Sequence, residues 1–242
     1  MKYTLQWQSA TPETRRAVRS WVVQSAASLI ICAILLFALA GRVDWLWGWA
    51  WWLMLTAFMA AHVVILVPIN PDLLAEREKG LADPRIKPWD RWLASVAGGI
   101  LAMIVMVIAA LNQRFRWAKP LPTVIQYGGV ILAVAGYALF LWAMASNAYF
   151  AEGVRIQSDR GHSVAQGGPY RWVRHPGYLG SILSLLGAPL VLGALGAMVP
   201  SAIGAALFVL RTHLEDQTLQ KELEGYAAYA LRVPYRLVPG LW

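Results

Sequence analysis

Two short polar stretches in an otherwise apolar chain hold the residue types that can do chemistry. The first is Gly167-Gly168-Pro169-Tyr170-Arg171-Trp172-Val173-Arg174-His175-Pro176-Gly177-Tyr178-Leu179-Gly180. Pro176 suits the first position of a helix, where its missing N–H would have no partner anyway. The helix that follows would aim free N–H groups and a positive dipole end at the loop. That arrangement receives a carboxylate or a phosphate, although an ordinary basic loop at a membrane edge explains the same residues equally well. The second stretch is Arg211-Thr212-His213-Leu214-Glu215-Asp216. Arg211 and Glu215 are four apart, so a helix would set them on one face. Taken alone, a solvated pair or an arginine snorkelling to the interface is the simpler reading.

Other chemistries lack their residues. Cys32 is the single cysteine, and His162, His175 and His213 have no zinc-finger or His-Glu-x-x-His spacing. The chain has no Gly-x-Ser-x-Gly elbow, no Gly-x-x-x-x-Gly-Lys phosphate loop and no Gly-x-Gly-x-x-Gly after a strand. His62 falls in the middle of an apolar run and reads as a polar contact between helices.

The elements that must position these residues follow from composition. The chain has 242 residues, 58% hydrophobic and only 14% charged, with mean hydropathy +0.50. Soluble domains carry about 25% charged residues. A lone cysteine gives no disulfide framework. These values predict an all-α fold, a polytopic transmembrane helical bundle of about six spans. Crossing the hydrocarbon takes about 20 apolar residues as a helix. Trp21 to Ala40, Leu46 to Val67, Trp92 to Leu111 and Thr123 to Ala145 fit, and none contains Lys, Arg, Asp or Glu. Tyr178 to Leu210 is too long for one straight span and short for two full ones. Gly193, Gly196 and Pro200 predict two short helices joined by a tight turn, with Gly187 and Pro189 kinking the first.

Six spans put both ends of the chain on one side. Of the 21 Lys and Arg residues, seventeen then share that side and four (Arg42, Arg114, Arg116, Lys119) face the other. The bias predicts a cytosolic N-terminal segment, 68–91 loop, 146–176 loop and tail. The net charge of +8 thus marks topology and contact with membrane lipids, with no nucleic acid as a partner. Ala38-Leu39-Ala40 resembles a signal-peptidase site, but the preceding run is long for a signal segment, and an uncleaved span is expected. Trp45, Trp47, Trp49, Trp51 and Trp52 read mainly as an anchor at the opposite interface. Gly98, Gly99, Gly128, Gly129 and Gly136 read as helix packing.

The two polar stretches, in this order and separated by a helical hairpin, resemble the isoprenylcysteine carboxyl methyltransferase family. That family belongs to a group of integral membrane methyltransferases that includes phospholipid methyltransferases. The resemblance covers about residues 147 to 242. Asn70-Pro71-Asp72-Leu73-Leu74-Ala75-Glu76-Arg77 and Lys87-Pro88-Trp89-Asp90 are also similar to bacterial members. It implies S-adenosylmethionine as cofactor, in a cytosolic pocket between the loop and the tail. The implied cofactor residues are His162, Ser163, Val164, Ala165, Tyr170, His175, Pro176, Gly177, Tyr178 and Glu215. Gln157 stands for an upstream glutamine, closer to His162 than in eukaryotic members, and Asp216 replaces a frequent Glu. Arg211 and Glu215 are the implied catalytic residues, with Arg211 on the substrate side. The division implied is a four-span region, 1–145, and a methyltransferase core, 146–242. The expected function is methyl transfer to a lipophilic acceptor, foremost a carboxylate such as an isoprenylcysteine-like or isoprenoid acid, in a bacterial inner membrane. An NADPH-dependent reductase of a sterol or isoprenoid lipid is the alternative, since membrane sterol reductases share an ending like Arg232-Val233-Pro234-Tyr235-Arg236. A phospholipid N-methyltransferase is a third reading.

Overall fold

The computed structural model describes residues 6–242; Lys2, one of the basic residues counted above, lies outside them. Among the described residues every regular element is helical. After one helical turn at Gln6–Ser9, the long elements are α1 (Pro12–Ala40) and α2 (Leu46–Ile69). The short α3 (Pro71–Glu78) leads to α4 (Pro88–Phe115) and α5 (Thr123–Ala145). The chain closes with α6 (Pro176–Val191), α7 (Met198–Glu222) and α8 (Tyr226–Arg232).

Local chemistry sets these boundaries. Thr11 caps α1 by accepting from the Thr14 N–H at 3.1 Å, Pro12 takes the first helical position, and Gly41 closes the helix at φ 68°. Asn70 caps α3 through the Leu73 N–H at 3.2 Å. In α4 the turns over Ser95–Ile100 widen to i→i+5 bonding beside Gly98 and Gly99.

Five helices are long and apolar enough to cross a membrane: Pro12–Ala40, Leu46–Ile69, Pro88–Phe115, Thr123–Ala145 and Leu195–Glu222. The chain is thus an integral-membrane helical bundle. Its outward faces are apolar, with Ile34, Val64 and Ile131 all more than half exposed. The predicted span over Thr123–Ala145 coincides with α5. The block after Tyr178 does form a hairpin, turned at Leu192–Ala194 with Gly193 at φ 71°. Its two arms are unequal, however. The first is short, and at about 1.5 Å per residue the 16 residues of α6 reach about 24 Å. The second continues without a break to Glu222. Arg211, Glu215 and Asp216 therefore ride on a rigid helix rather than a separate polar tail, because no Gly or Pro interrupts α7 after Gly204.

Backbone contact joins α5 to α6. A Cβ at Gly136 would lie 2.5 Å from Ser184 Oγ and 2.6 Å from the Gly180 carbonyl. One at Gly129 would lie 2.7 Å from the Val191 nitrogen. Not every small residue expected to pack does so: around Gly99 and Gly128 there is open space within 4 Å. The tryptophan cluster also divides. Trp49 is exposed, whereas Trp45 and Trp51 are buried. His62 sits between helices, with Nδ1 donating to the Phe58 carbonyl at 2.9 Å and Nε2 lying 3.2 Å from Met144 Sδ.

The polar ends interlock on one face. Thr14 donates to Asp72 at 3.1 Å and Ser20 to Glu78 at 2.9 Å. Arg155 pairs with Glu76 and Asp83, and Lys87 with Glu222. The four predominantly basic segments therefore share a side. Gly41 and Arg114 meet at the other, where a Cβ on Gly41 would touch the Arg114 side chain at 3.5 Å.

Candidate functional site

A cavity of about 850 Å³ opens at the polar face and runs down between the helices. Its walls between the helices are apolar, formed by Ile31 and Leu35 of α1, Phe58 of α2, Met103 of α4 and Tyr137 of α5. Its mouth is lined by the 147–165 segment, the start of α6, and one face of α7 and α8. Pro176 opens α6 at the first position, as its chemistry requires, with His175 as the residue before it.

The mouth is held by one carboxylate. Asp216 is fully buried and accepts from both Nε and Nη2 of Arg174, at 2.7 and 2.9 Å. Tyr226 donates to it at 3.0 Å, Gln220 at 2.8 Å and Arg236 at 2.9 Å, and His175 Nε2 lies 3.3 Å away. A buried carboxylate is tolerated only when its lone pairs are this well occupied. Burial lowers the Arg174 guanidinium's pKa, but the Asp216 carboxylate outweighs that and raises it above its ordinary value. The Arg174 and His175 N–H groups also donate to the carbonyls of Tyr235 and Arg236, at 3.0 and 2.9 Å. The loop and the C-terminal segment are thus tied by side chain and backbone together.

A second group lies between α6 and α7. The Tyr178 hydroxyl donates to Glu215 Oε2, and the Arg211 guanidinium lies 4.9 Å over the Tyr178 ring. The expected pairing of Arg211 with Glu215 does not form. Arg211 places Nε and Nη2 on Asp90, at 2.5 and 2.9 Å, and Nη2 also reaches the Glu152 carbonyl at 2.7 Å. Asp90, at the start of α4, points its carboxylate inward and also accepts from the Val154 N–H at 2.6 Å. Its reach beats Glu215 because two parallel N–H···O bonds form with an acceptor buried on all sides.

The 157–165 loop supplies the remaining wall. Gln157 is buried beneath it, donating from Nε2 to the Tyr149 carbonyl at 2.7 Å and accepting from Arg160 at 2.6 Å. Its backbone N–H donates to His162 Nδ1 at 3.2 Å. Burial, with help from Arg155 and Arg160, pushes the His162 pKa down to about 4. Tyr170 is buried and receives a hydrogen bond from Asn147 at 3.3 Å; burial raises its hydroxyl's pKa.

The sequence-predicted residues gather closely. His162, Ser163, Val164, Ala165, Tyr170, His175, Gly177, Tyr178, Arg211 and Glu215 all line the cavity. Gln157 and Pro176, also predicted, are buried and do not line it. Sequence reasoning had not placed Asp90, Asn147, Tyr149 or Glu152 at the site. The Lys87-Pro88-Trp89-Asp90 run drew attention, but no local spacing links Asp90 to a partner 121 residues away. Among the described residues no group of three or more His, Cys, Asp or Glu could hold a metal ion.

Comparison with known proteins bears on the family of the chain. The sequence model of the isoprenylcysteine carboxyl methyltransferase family matches residues 129–221. The cobalt-zinc-cadmium resistance protein CzcN of Cupriavidus metallidurans is 30% identical over 154 residues, covering 60% of this chain and 65% of that protein. The structure of the eukaryotic intramembrane Ras methyltransferase, an isoprenylcysteine carboxyl methyltransferase, overlays 93% of this chain and 96% of its own at TM-score 0.44 and 15% identity. The resemblance read from the Arg174-to-Tyr178 and Arg211-to-Asp216 stretches is met by the family's sequence model: over residues 129–221 the chain matches the isoprenylcysteine carboxyl methyltransferase family.

Proposed function

We propose that the protein transfers a methyl group from S-adenosylmethionine to the carboxylate of a lipophilic acid, of the isoprenylcysteine or isoprenoid kind. The observation that carries this reading is the continuity of the cavity, polar at the loop and apolar between the spans. A soluble, charged cofactor and a lipid-like acceptor need such a pocket at the bilayer edge.

The residues present fit the cofactor. Glu215 lines the cavity and, among the described residues, has no Lys, Arg or His within ion-pair reach; its one side-chain bond is from the Tyr178 hydroxyl. A partly buried carboxylate in no direct ion pair suits a positively charged ligand. His162, Ser163, Val164, Ala165, Tyr170, His175, Gly177 and Tyr178 would enclose the rest of it, with Gln157 and Pro176 as backing. The volume leaves room for an acceptor chain beside it, within the range usual for ligand sites. When bound, S-adenosylmethionine supplies a methyl group already activated by its sulfonium. The chain's own task is to align and dehydrate the acceptor. A carboxylate needs no general base. Arg211, locked by Asp90, contributes fixed positive charge beside Tyr178 and Glu215.

In this reading residues 146–242 are the methyltransferase core and 1–145 supply membrane-level walls. The short α6 makes the sixth crossing, and the basic face of the protein, in a bacterial inner membrane, is turned to the cytosol, the side that holds the soluble cofactor. The test is binding of S-adenosylmethionine and of NADPH to purified protein, followed by transfer of a labelled methyl group to membrane lipid extracts. S-adenosylmethionine should bind and His175→Ala or Glu215→Ala should weaken it about tenfold, or about 1.4 kcal/mol. Binding of NADPH alone would favour the reductase and overturn this reading.

A further inference from the structure

Arg77 at the end of α3 is an arginine that the site has not used. It lines the cavity, its side chain is 15% exposed, and its Nε is buried without a partner. Among the described residues its guanidinium makes no hydrogen bond, and its charged contact is Glu152 Oε1, 3.2 Å from Nη2. That is unusual, because a buried guanidinium normally fills its donors. Burial lowers its pKa, the nearby Glu152 raises it and Arg211 lowers it again.

Arg211 cannot play the same part. Its Nε and Nη2 are both on Asp90, and Nη2 also serves the Glu152 carbonyl. Only Nη1 remains, too few atoms for the two parallel bonds that orient a carboxylate. Arg77 keeps its fork, and its position is rigid, because Leu73 and Leu74 of α3 are completely buried and Asn70 caps the helix. Glu152 lies between the two arginines, carbonyl toward Arg211 and carboxylate toward Arg77. Its side chain is 31% exposed, so it can turn to solvent without leaving a buried charge.

We propose that Arg77 binds the acceptor's carboxylate, and that Glu152 is an internal carboxylate that the acceptor displaces. This rests on the reading of the acceptor as a lipophilic acid. With the acid group on Arg77, its chain passes into the apolar part of the cavity past Phe58 and Leu35. In the reaction one carboxylate oxygen, through a lone pair left outside the fork, forms a bond to the methyl carbon. The carbon–sulfur bond breaks and its electron pair stays on sulfur, so the sulfonium becomes a neutral thioether and no proton moves. The ester product has lost the charge that Arg77 holds, and Glu152 returns to take its place, which favours release.

The test measures ligand-induced thermal shift and direct binding of farnesoic acid and farnesol to full-length protein in detergent, without cofactor. Wild type should prefer the acid. Arg77→Gln should weaken acid binding about tenfold, or about 1.4 kcal/mol, and leave farnesol unchanged. Glu152→Gln should tighten acid binding, a gain that loss of a structural contact would not produce. In turnover assays Arg77→Lys should raise KM for the acid more than it lowers kcat, since it keeps charge without the fork. Equal acid preference in wild type and Arg77→Gln would overturn the proposal. So would unchanged or weaker acid binding in Glu152→Gln, a result available even if Arg77→Gln does not fold. S-adenosylmethionine affinity, measured in the same variants, should stay within a few fold of wild type. Its absence in wild type would instead count against the methyltransferase reading, leaving the acid-binding result independently readable.

Discussion

At the scale of residues, buried carboxylates organise the site. Asp90 and Asp216 are each 0% exposed and each accepts two nitrogens of one arginine, so both arginines are fixed before any ligand arrives. Removing one member of such a pair strands a charge, at a cost of about 3–5 kcal/mol. Asp90→Asn should therefore lower the melting temperature strongly, and Arg211→Lys should also destabilise, because ammonium cannot make both bonds. Arg211→Lys should in addition lower turnover while cofactor affinity stays within a few fold. An interface arginine that merely snorkels would instead accept Lys with unchanged melting and activity. His162 gives a pH-dependent expectation. Its pKa is held at about 4 against an ordinary 6.5, so between those values the unfolded chain takes up a proton that the folded one refuses. The stability it confers is present above 6.5 and is lost as pH falls toward 4. Melting curves of His162→Asn, which keeps an acceptor for the Gln157 N–H, should show a smaller loss of stability than wild type across that window.

At the scale of elements, the α5–α6 contact and the unbroken length of α7 hold the two halves of the site together. Gly136 and Gly180 let the two backbones touch, each occupying space that the other's Cβ would need. Helices in hydrocarbon gain their association from such close approach rather than from burial of apolar surface. Gly136→Val should separate them and destabilise the protein by about 1–3 kcal/mol or more, whereas Gly128→Val, facing open space, should be nearly neutral. Thermal melting of the two variants in detergent compares them directly. α7 turns the second polar stretch into rigid geometry. The Phe208-to-Asp216 face is continuous, so a shift of the hairpin turn would move Arg211 and Asp216 together.

At the scale of the whole molecule, one side gathers charge and the other remains sparse. Ion pairs from Arg155 to Glu76 and from Lys87 to Glu222 join segments far apart in sequence at that side. The exposed Lys87 pair contributes little by itself, but the Arg155 side chain is only 2% exposed, and a network over several loops fixes their relative position. Reporter fusions after Arg42 and Ala118 should give periplasmic signals, and those after Gly161 and Trp242 cytosolic ones. A periplasmic signal at Gly161 would exclude the orientation proposed here together with access to cytosolic cofactor.

Much of this was legible in the residues alone. Thr123–Ala145 is recognisable as a span because hydrocarbon demands an uninterrupted apolar helix, and Pro176 announces a helix start because its ring suits only that end. The motif around His175 and the Arg211–Glu215 spacing pointed to one shared site, and the cavity contains both. What the sequence could not express is partner choice across distance. Arg211 reads locally as Glu215's neighbour, yet it pairs with Asp90, and Glu215 takes the Tyr178 hydroxyl. Spacing along a helix encodes which residues share a face, but not which foreign helix that face meets. The tertiary packing of α4 and α6 against α7 decides that, and it is also what leaves Arg77 beside the cavity with its fork unfilled.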